Sequence, residues 1–461
     1  MIQKYGTSGF RNNAKLIFDI SFRIGIGCAY LSHLTSKHIG IMITASHNPI
    51  EDNGVKIIDH TGSMICTEYE NILENIVNLS HIEFGKFIDE YKPLIKQSKL
   101  IIGHDTRPSC LDIQNELIKC SKIFNTNCVT FGLVTTPQLH MLTVDENIDY
   151  YNDYIKKIFS KITTINYNCI VDCANGTAYN IMEKIQHERI KLSNTNNHDL
   201  LNHNCGAEYY SSNGCDEINN NINNNELFFS FDGDSDRMIL FYKSNDKVHM
   251  IDGAKIATLY ALYLKKFSNK YNIGFIGTGY TNSAGMKYAE SINLHTCRTK
   301  TGIKYLHEKA KEYDIAIYFE PNGHGTILFN VDPDDLELII LKNMLNQYIG
   351  DGISNFIAVL YILQYISIDT LIDTYLDVKY KQVKIHVKDK SQVVTNNDET
   401  KVIEPIDVQI LVDKYLVDKM ISARWFIRPS GTENYLKLYV ESDDVDSIVD
   451  DIVNLIKSKI E

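Results

Sequence analysis

A repeated rhythm constrains this chain more than any other feature: a short apolar run, then a polar cluster of Gly, Asp, Asn or Thr, then a longer segment of helical spacing. Residues 39–43 run into Thr44-Ala45-Ser46-His47, and residues 100–103 into His104-Asp105-Thr106-Arg107. Residues 169–171 run into Asp172-Cys173-Ala174-Asn175-Gly176, and residues 228–231 into Asp232-Gly233-Asp234. Strands that alternate with helices specify an α/β class fold. In open sheets of that class, ligands bind at the loops following the carboxyl ends of the strands. A length of 461 residues, at about 150 residues per domain, predicts three or four domains rather than one. The tail follows another pattern: residues 425–427 and 436–440 read as strands, and Ser442 caps a helix with Val445, Ile448, Val449, Ile452, Val453 and Ile456 on one face. Acids lead that helix and lysines close it, as the macrodipole favours, which predicts a small α+β domain over about 375–461. The Asn-rich stretch 213–225, poor in apolar residues, reads as an exposed loop of no catalytic interest.

Charge narrows the partners. The chain carries 46 basic and 58 acidic residues, a formal net charge of -12, and its basic residues come in pairs such as Lys156-Lys157 rather than in runs. That balance argues against a nucleic-acid or anionic-membrane surface. An anionic substrate then requires a cleft that is locally basic. The ten cysteines show neither Cys-x-x-Cys pairs nor zinc spacing and read as reduced thiols in a cytoplasmic protein. The longest apolar stretch, 356–363, is far short of the ~18 residues that a membrane span needs, and no signal peptide is legible.

Four motifs carry chemistry. Asp232-Gly233-Asp234-Ser235-Asp236-Arg237 sets carboxylates at alternate positions after a strand, and three convergent carboxylates repel unless a cation sits among them. An EF-hand is excluded, because its Gly and Glu positions fall on Arg237 and Lys243; a solvated acidic turn is the plainer alternative. Thr44-Ala45-Ser46-His47-Asn48-Pro49 places a serine at a strand end, with Asn-Pro closing a turn that holds its hydroxyl outward. No Gly-x-Ser-x-Gly elbow surrounds it, so an acyl-enzyme triad does not explain it, and an ordinary turn remains the alternative. Arg428-Pro429-Ser430-Gly431-Thr432-Glu433-Asn434 links the two C-terminal strands and offers a guanidinium, hydroxyls and backbone N–H groups to an anion, with Lys437 adding charge. Its plain reading is a hairpin connection. Glu320-Pro321-Asn322-Gly323-His324-Gly325 presents acid, amide and imidazole groups suited to sugar hydroxyls. No Walker loop and no Gly-x-Gly-x-x-Gly follows a predicted strand. A phosphate clamp, a metal loop and a serine without a nucleotide site suggest transfer within one substrate.

Together with Tyr5-Gly6-Thr7-Ser8-Gly9-Phe10-Arg11, these motifs resemble the α-D-phosphohexomutases, in the same order along the whole chain. The stretches Gly132-Leu133-Val134-Thr135-Thr136-Pro137-Gln138-Leu139, Asp52-Asn53-Gly54-Val55-Lys56, Thr299-Lys300-Thr301-Gly302 and Asn322-Gly323-His324-Gly325 look most like the phosphoacetylglucosamine mutase branch. The resemblance implies three related α/β mixed-sheet domains (1–137, 138–252 and 253–374) and a smaller α+β domain (375–461) around a central cleft. These would bear, in turn, the phosphoserine, metal, sugar and phosphate loops. It implies that Ser46 is the phosphoserine and that Asp232, Asp234 and Asp236, with an oxygen on Ser46, hold one Mg²⁺. Arg11, His47 and Lys56 match positions that line the transfer site. Glu320, Asn322 and His324 match the sugar-hydroxyl loop, while Arg428, Ser430, Gly431, Thr432 and Lys437 match the clamp on the non-reacting phosphate. Arg237, Thr301 and Gly302 complete the expected substrate contacts.

The implied reaction interconverts N-acetylglucosamine 6-phosphate and 1-phosphate through a bisphosphate intermediate, with hexose 1,6-bisphosphate as activator, in UDP-N-acetylglucosamine biosynthesis. A small-molecule sugar phosphate is the expected partner, and a cytoplasmic monomer or weak dimer the expected form. The alternatives are a glucose or mannose phosphate mutase, a sugar-phosphate-binding regulator without activity, and a phosphatase that has no need of Ser46. The chain departs from the family pattern at His104, where an arginine is common, and at Pro321, where a small residue is usual.

Overall fold

The computed structural model describes residues 2–460 apart from positions 8, 96 and 431–433. The chain forms two compact units, one of residues 1–253, 322–326 and 332–365 and another of residues 254–321, 327–331 and 366–461.

The first unit holds two five-stranded sheets. One takes β1 (Phe10–Asn13), β2 (Ile39–Ile43), β3 (Asp52–Ile58), β4 (Ser98–His104) and β5 (Thr126–Leu133) in the order β1-β3-β2-β4-β5. β2, β4 and β5 are parallel, and β3 runs against both of its neighbours. The other takes β6 (Asn168–Asp172), β7 (Ile190–Ser193), β8 (Glu226–Phe231), β9 (Met238–Ser244) and β10 (Lys247–Ile251) in the order β10-β9-β8-β6-β7, with β7, β6 and β8 parallel. The central β2 is buried at every position. Such continuous apolar runs belong to strands covered on both faces, so the polar residues that follow β2 lie in the loop beyond its end.

One expectation is corrected here. Most of the Asn-rich stretch is not a loop: a helix spans Ala207–Asn219. Tyr210, Gly214 and Ile218 recur every four residues on its buried side and pack with Phe228 and Phe241 of the sheet. The asparagines occupy the remaining faces, where weak helix propensity is outweighed by that apolar stripe.

The helix Gly352–Ile362 is buried at every position, as its apolar character on all sides demands. Phe356 meets Phe229 of β8 edge to face at 4.8 Å. A fully buried side chain of this size contributes about 1.5–3 kcal/mol.

The second unit contains β11 (Ile273–Thr278), β12 (His295–Thr299), β13 (Ile315–Phe319) and residues 327–329 of β14 (Gly325–Phe329), in the order β12-β11-β13-β14. β11 is parallel to both β12 and β13. Five more strands follow: β15 (Tyr380–His386), β16 (Val394–Thr395), β17 (Val402–Glu404), β18 (Arg424–Pro429) and β19 (Tyr435–Glu441). β15-β19-β18 form an antiparallel sheet and β16 pairs with β17. The terminal helix Val445–Ile460 buries Val445, Ile448, Val449, Ile452 and Ile456, and the Asp444 N–H donates to Ser442 Oγ, close to the expected cap. No helix among the described residues is long and apolar enough to cross a membrane.

Candidate active site

The loop after β2 carries Ser46 in a left-handed conformation (φ +53°), which an L-residue adopts only where the surroundings impose it. The Ser46 N–H donates to Thr44 Oγ1 (2.8 Å). Thr44 Oγ1 in turn donates to the buried Asp105 (2.7 Å). The hydroxyl is not turned outward, as the Asn-Pro turn suggests. Ser46 is fully buried and donates through Oγ to Asp232 Oδ2 at 2.6 Å, with His47 Nδ1 3.3 Å from the same oxygen. The positive φ swings the side chain toward the β8 loop.

That loop brings Asp232, Asp234 and Asp236 together, with one carboxylate oxygen from each within 4.8 Å of the others. Lys56 of β3 donates to Asp234 (2.6 Å) and Asp236 (2.7 Å). Arg237 Nε lies 3.7 Å from both Asp232 and Asp236, and Thr136 Oγ1 donates to Asp234 (2.6 Å). Burial is the largest influence on all three carboxyls. With repulsion from its two neighbours it pushes Asp232 well above the carboxylate range. In Asp234 and Asp236 burial is opposed by the Lys56 ammonium, joined by the Thr136 hydroxyl at Asp234 and by His324 and Arg237 at Asp236, and together these hold both low. Asp234 Oδ1 and Asp236 Oδ1 are buried and accept no hydrogen bond. Buried acceptors rarely go unpaired, and two such oxygens beside a third carboxylate fit a hard divalent cation.

The other charged groups of this unit converge on the same place. Arg11 Nη1 donates to Asn48 Oδ1 (3.1 Å); burial, then the Arg237 charge, depresses its pKa. Burial pulls His47 well below the usual histidine range, aided by Arg237 and Arg11. Burial opposes the Lys56 charge, but Asp234 and Asp236 reverse it and raise the ammonium pKa. Asn322 Oδ1 accepts the His324 N–H (3.0 Å), and His324 pairs with Arg237 across an antiparallel bridge. Gly323 (φ +90°) is required there, since a Cβ would stand 2.1 Å from the Met238 carbonyl oxygen.

In the second unit, buried Glu320 accepts the Gly302 N–H (3.0 Å) and Glu399 accepts the Thr301 N–H (3.1 Å). Arg428 lies 3.7 Å from Glu399 and donates to the Tyr280 hydroxyl (3.2 Å). Lys437 stands opposite both Arg428 and Lys384 in the sheet register, and Lys390 donates to the Ser430 carbonyl (2.6 Å). Gly431 and Thr432 lie outside the described residues.

Several residues that hold this site went unassigned in the sequence reading. Buried Arg107 donates to the carbonyls of Ser46 (2.9 Å), Asn48 (2.8 Å), Asp52 (2.8 Å) and Pro49, so one guanidinium fixes the whole serine loop. Asn202 also donates to the Ser46 (2.8 Å) and Asn48 (3.1 Å) carbonyls. Thr136 and Glu399 complete the set. Arg107 had a signal, because His104-Asp105-Thr106-Arg107 is itself a strand-end loop; Asn202 had none.

Comparison with known proteins bears on the whole chain. Residues 252–337 match domain III of the phosphoacetylglucosamine mutase AMG1 family. Residues 26–83 and 383–456 match the α/β/α domain I and the C-terminal domain of the phosphoglucomutase/phosphomannomutase family. The phosphoacetylglucosamine mutase of Candida albicans is 34% identical, over 96% of this chain and 94% of that protein. A substrate complex of an N-acetylglucosamine-phosphate mutase, described as a member of the α-D-phosphohexomutase superfamily, superposes with a TM-score of 0.89 at 33% identity. That match covers 100% of this chain and 96% of the other. The Aspergillus fumigatus N-acetylphosphoglucosamine mutase, in complex with GlcNAc-6P and magnesium, gives 0.90 at 26% identity with the same coverage. A serine-to-alanine variant of that enzyme has been crystallised with glucose 1,6-bisphosphate. The chain belongs to the phosphoacetylglucosamine mutases of the α-D-phosphohexomutase superfamily.

Proposed function

We propose that this chain interconverts N-acetylglucosamine 6-phosphate and N-acetylglucosamine 1-phosphate through phosphorylated Ser46 and a bisphosphate intermediate, as an isomerase supplying UDP-N-acetylglucosamine synthesis. The observation that carries the reading is the 2.6 Å contact of Ser46 Oγ with Asp232, at the edge of a carboxylate cluster in which two buried oxygens accept no hydrogen bond. A serine hydroxyl alone is a weak nucleophile. Asp232, Asp234 and Asp236, together with a phosphoryl oxygen on Ser46, would hold one Mg²⁺, which supplies Lewis-acid stabilisation of charge on phosphoryl oxygens.

The chain's own residues do the rest. The Arg107 and Asn202 hydrogen bonds to its carbonyl fix Ser46 so that donor and acceptor oxygens meet in line. The neutral His47 ring, 3.3 Å from Ser46 Oγ, is placed to accept a proton at Nδ1. Lys56 and Arg11 are the further candidates for proton transfer and for charge at the reacting phosphoryl group. Glu320, Asn322 and His324 would orient sugar hydroxyls, and Arg237, Thr301 and Gly302 would supply further substrate contacts. Arg428, Ser430, Gly431, Thr432 and Lys437 would bind the non-reacting phosphate.

Hexose 1,6-bisphosphate is the proposed activator, phosphorylating Ser46 afresh whenever the intermediate escapes. The divisions 1–137, 138–252, 253–374 and 375–461 are proposed as the family's four domains. Each of the four sheets of three or more strands draws all its strands from one of these spans, although residues 332–365 group with the first unit. A cytoplasmic monomer or weak dimer is the proposed form, with phospho-Ser46 its modified residue.

Turnover of N-acetylglucosamine 6-phosphate with Mg²⁺ and a trace of hexose bisphosphate, in wild type and Ser46→Ala, tests the reading. Conversion should depend on Ser46 and exceed that of glucose 6-phosphate. Faster glucose 6-phosphate turnover would transfer the same mechanism to another substrate, and absence of both conversions would leave a binding protein.

A further inference from the structure

Arg428 of the phosphate-binding hairpin is largely buried, and its neighbour is an acid that no motif predicts. Its guanidinium Nη1 lies 3.7 Å from Glu399 Oε2, in side chains that are 14% and 21% exposed. The same carboxylate oxygen accepts the Thr301 N–H at 3.1 Å. Glu399 therefore ties Arg428 to the loop that also carries Gly302, and both groups it touches are ones that bind anions.

The loop that presents Glu399 is built rather than slack. Asn396 Oδ1 accepts the N–H groups of Thr400 and Lys401, both at 2.9 Å, and Asp398 Oδ1 accepts the Thr400 hydroxyl at 2.9 Å. Glu399 itself is left-handed, with φ +58°. A glutamate adopts that conformation only where other contacts enforce it, and such outliers concentrate at functional positions.

We propose that Glu399 is the resident anion of the phosphate clamp, and that a substrate phosphate binds Arg428 by displacing this carboxylate. The inference rests on the reading of Arg428 as phosphate-binding. Its physical basis is an exchange between two anions. A guanidinium this buried is costly to leave without a counter-charge. At 3.7 Å the pair lacks the short two-point geometry of a strong Arg–carboxylate contact, so it holds the cation without competing fully with a dianionic phosphate. Displacement also frees the Thr301 N–H for the incoming ligand. Glu399 thereby sets an affinity threshold: a monoanion gains little by replacing it, whereas a phosphomonoester adds a second charge and a third oxygen.

The test uses the full chain, with inorganic phosphate as the probe, by calorimetry and by competition against sugar-phosphate turnover. Glu399→Gln should bind phosphate about three- to ten-fold more tightly than wild type and lower the KM for the sugar phosphate in step. Glu399→Ala serves as the second variant should the glutamine substitution fold poorly, with circular dichroism to establish the fold of each. Asp398→Asn removes a neighbouring charge without touching Arg428 and should leave phosphate binding within about two-fold of wild type.

Unchanged or weaker phosphate binding in both Glu399 variants overturns the proposal and makes Glu399 a strut or a sugar contact. Equal tightening by Asp398→Asn overturns it as well, because the effect would then be one of general field. Arg428→Met separates the two readings: if phosphate binding survives that change, Arg428 is not the clamp and the functional assignment fails. If binding is lost in Arg428→Met but insensitive to Glu399, only the displacement fails.

Discussion

Arg107 and Ser46 are 61 residues apart in sequence and joined by a 2.9 Å hydrogen bond from the guanidinium Nη2 to the serine carbonyl oxygen. The same guanidinium also binds the carbonyls of Asn48, Pro49 and Asp52, so the conformation of the loop that carries Ser46 is written into one buried side chain. Arg107→Met leaves Asp105 without the guanidinium 3.2 Å away and should lower unfolding free energy by about 3–5 kcal/mol, read by urea denaturation. Arg107→Lys, with a single ammonium for four carbonyls, should fold and show a kcat at least about ten-fold down with KM much less affected.

Ser46 itself separates chemistry from backbone strain. Ser46→Ala and Ser46→Gly should both abolish turnover. Their stabilities should differ, because at φ +53° only glycine is free of the left-handed penalty of about 1–2 kcal/mol. Thermal or urea unfolding of the pair should place the glycine variant above the alanine one; the reverse order would show that Ser46 is not strained in solution.

The carboxylate cluster should respond to metal in stability as well as activity. Mg²⁺ at about one hundred times its dissociation constant should add about 2.7 kcal/mol to wild type, seen as a rise in melting temperature that EDTA reverses. Asp236→Asn, which removes one carboxylate charge from the cluster, should lose that rise while folding normally without metal. A full rise in this variant would place the ion elsewhere.

Acid–base linkage should show two buried groups of opposite sign. Asp351 accepts the Tyr151 hydroxyl (3.0 Å) and the N–H groups of Ile353 (3.0 Å) and Ser354 (3.1 Å). Burial nevertheless raises its pKa to about 6. Folded Asp351 thus holds its proton more tightly than the unfolded chain does, and its contribution is present in full below about pH 4 and lost as pH rises through 6, about 3 kcal/mol in all. His140 is lowered to about 4 by burial, so its contribution is present above its unfolded pKa and lost as pH falls toward 4. In wild type the two slopes oppose each other between pH 4 and 6. Asp351→Asn should remove the carboxyl's share, making stability rise more steeply with pH across that window than in wild type, and an unchanged slope would show that Asp351 does not titrate as its burial implies.

The strand-end loops were legible because buried parallel strands force polar residues to their ends, and so Ser46, Asp232 and Glu320 could be placed from pattern alone. Family resemblance then supplied roles that pattern could not. What stayed hidden were residues whose importance lies in whom they meet. Arg107, Asn202 and Glu399 act through partners at least 29 residues away; only Arg107 sits in a strand-end loop that marks it, and nothing local distinguishes the other two. The helix Ala207–Asn219 was missed for a different reason: its buried stripe is one residue wide, so asparagine content masked a four-residue period that Tyr210, Gly214 and Ile218 do display.

The unit that carries Ser46 is interrupted in sequence, and Gly352 donates to the Ser235 carbonyl (3.0 Å) from the start of the buried helix Gly352–Ile362. A growing chain therefore exposes the underside of the loop bearing Asp232, Asp234 and Asp236 after residue 253 and cannot cover it until residue 365 has been made. At about 5–20 residues per second, Phe229 and Phe231 wait on the order of ten seconds for Phe356. Nascent chains paused within that interval are where aggregation, or rescue by a chaperone, should be concentrated.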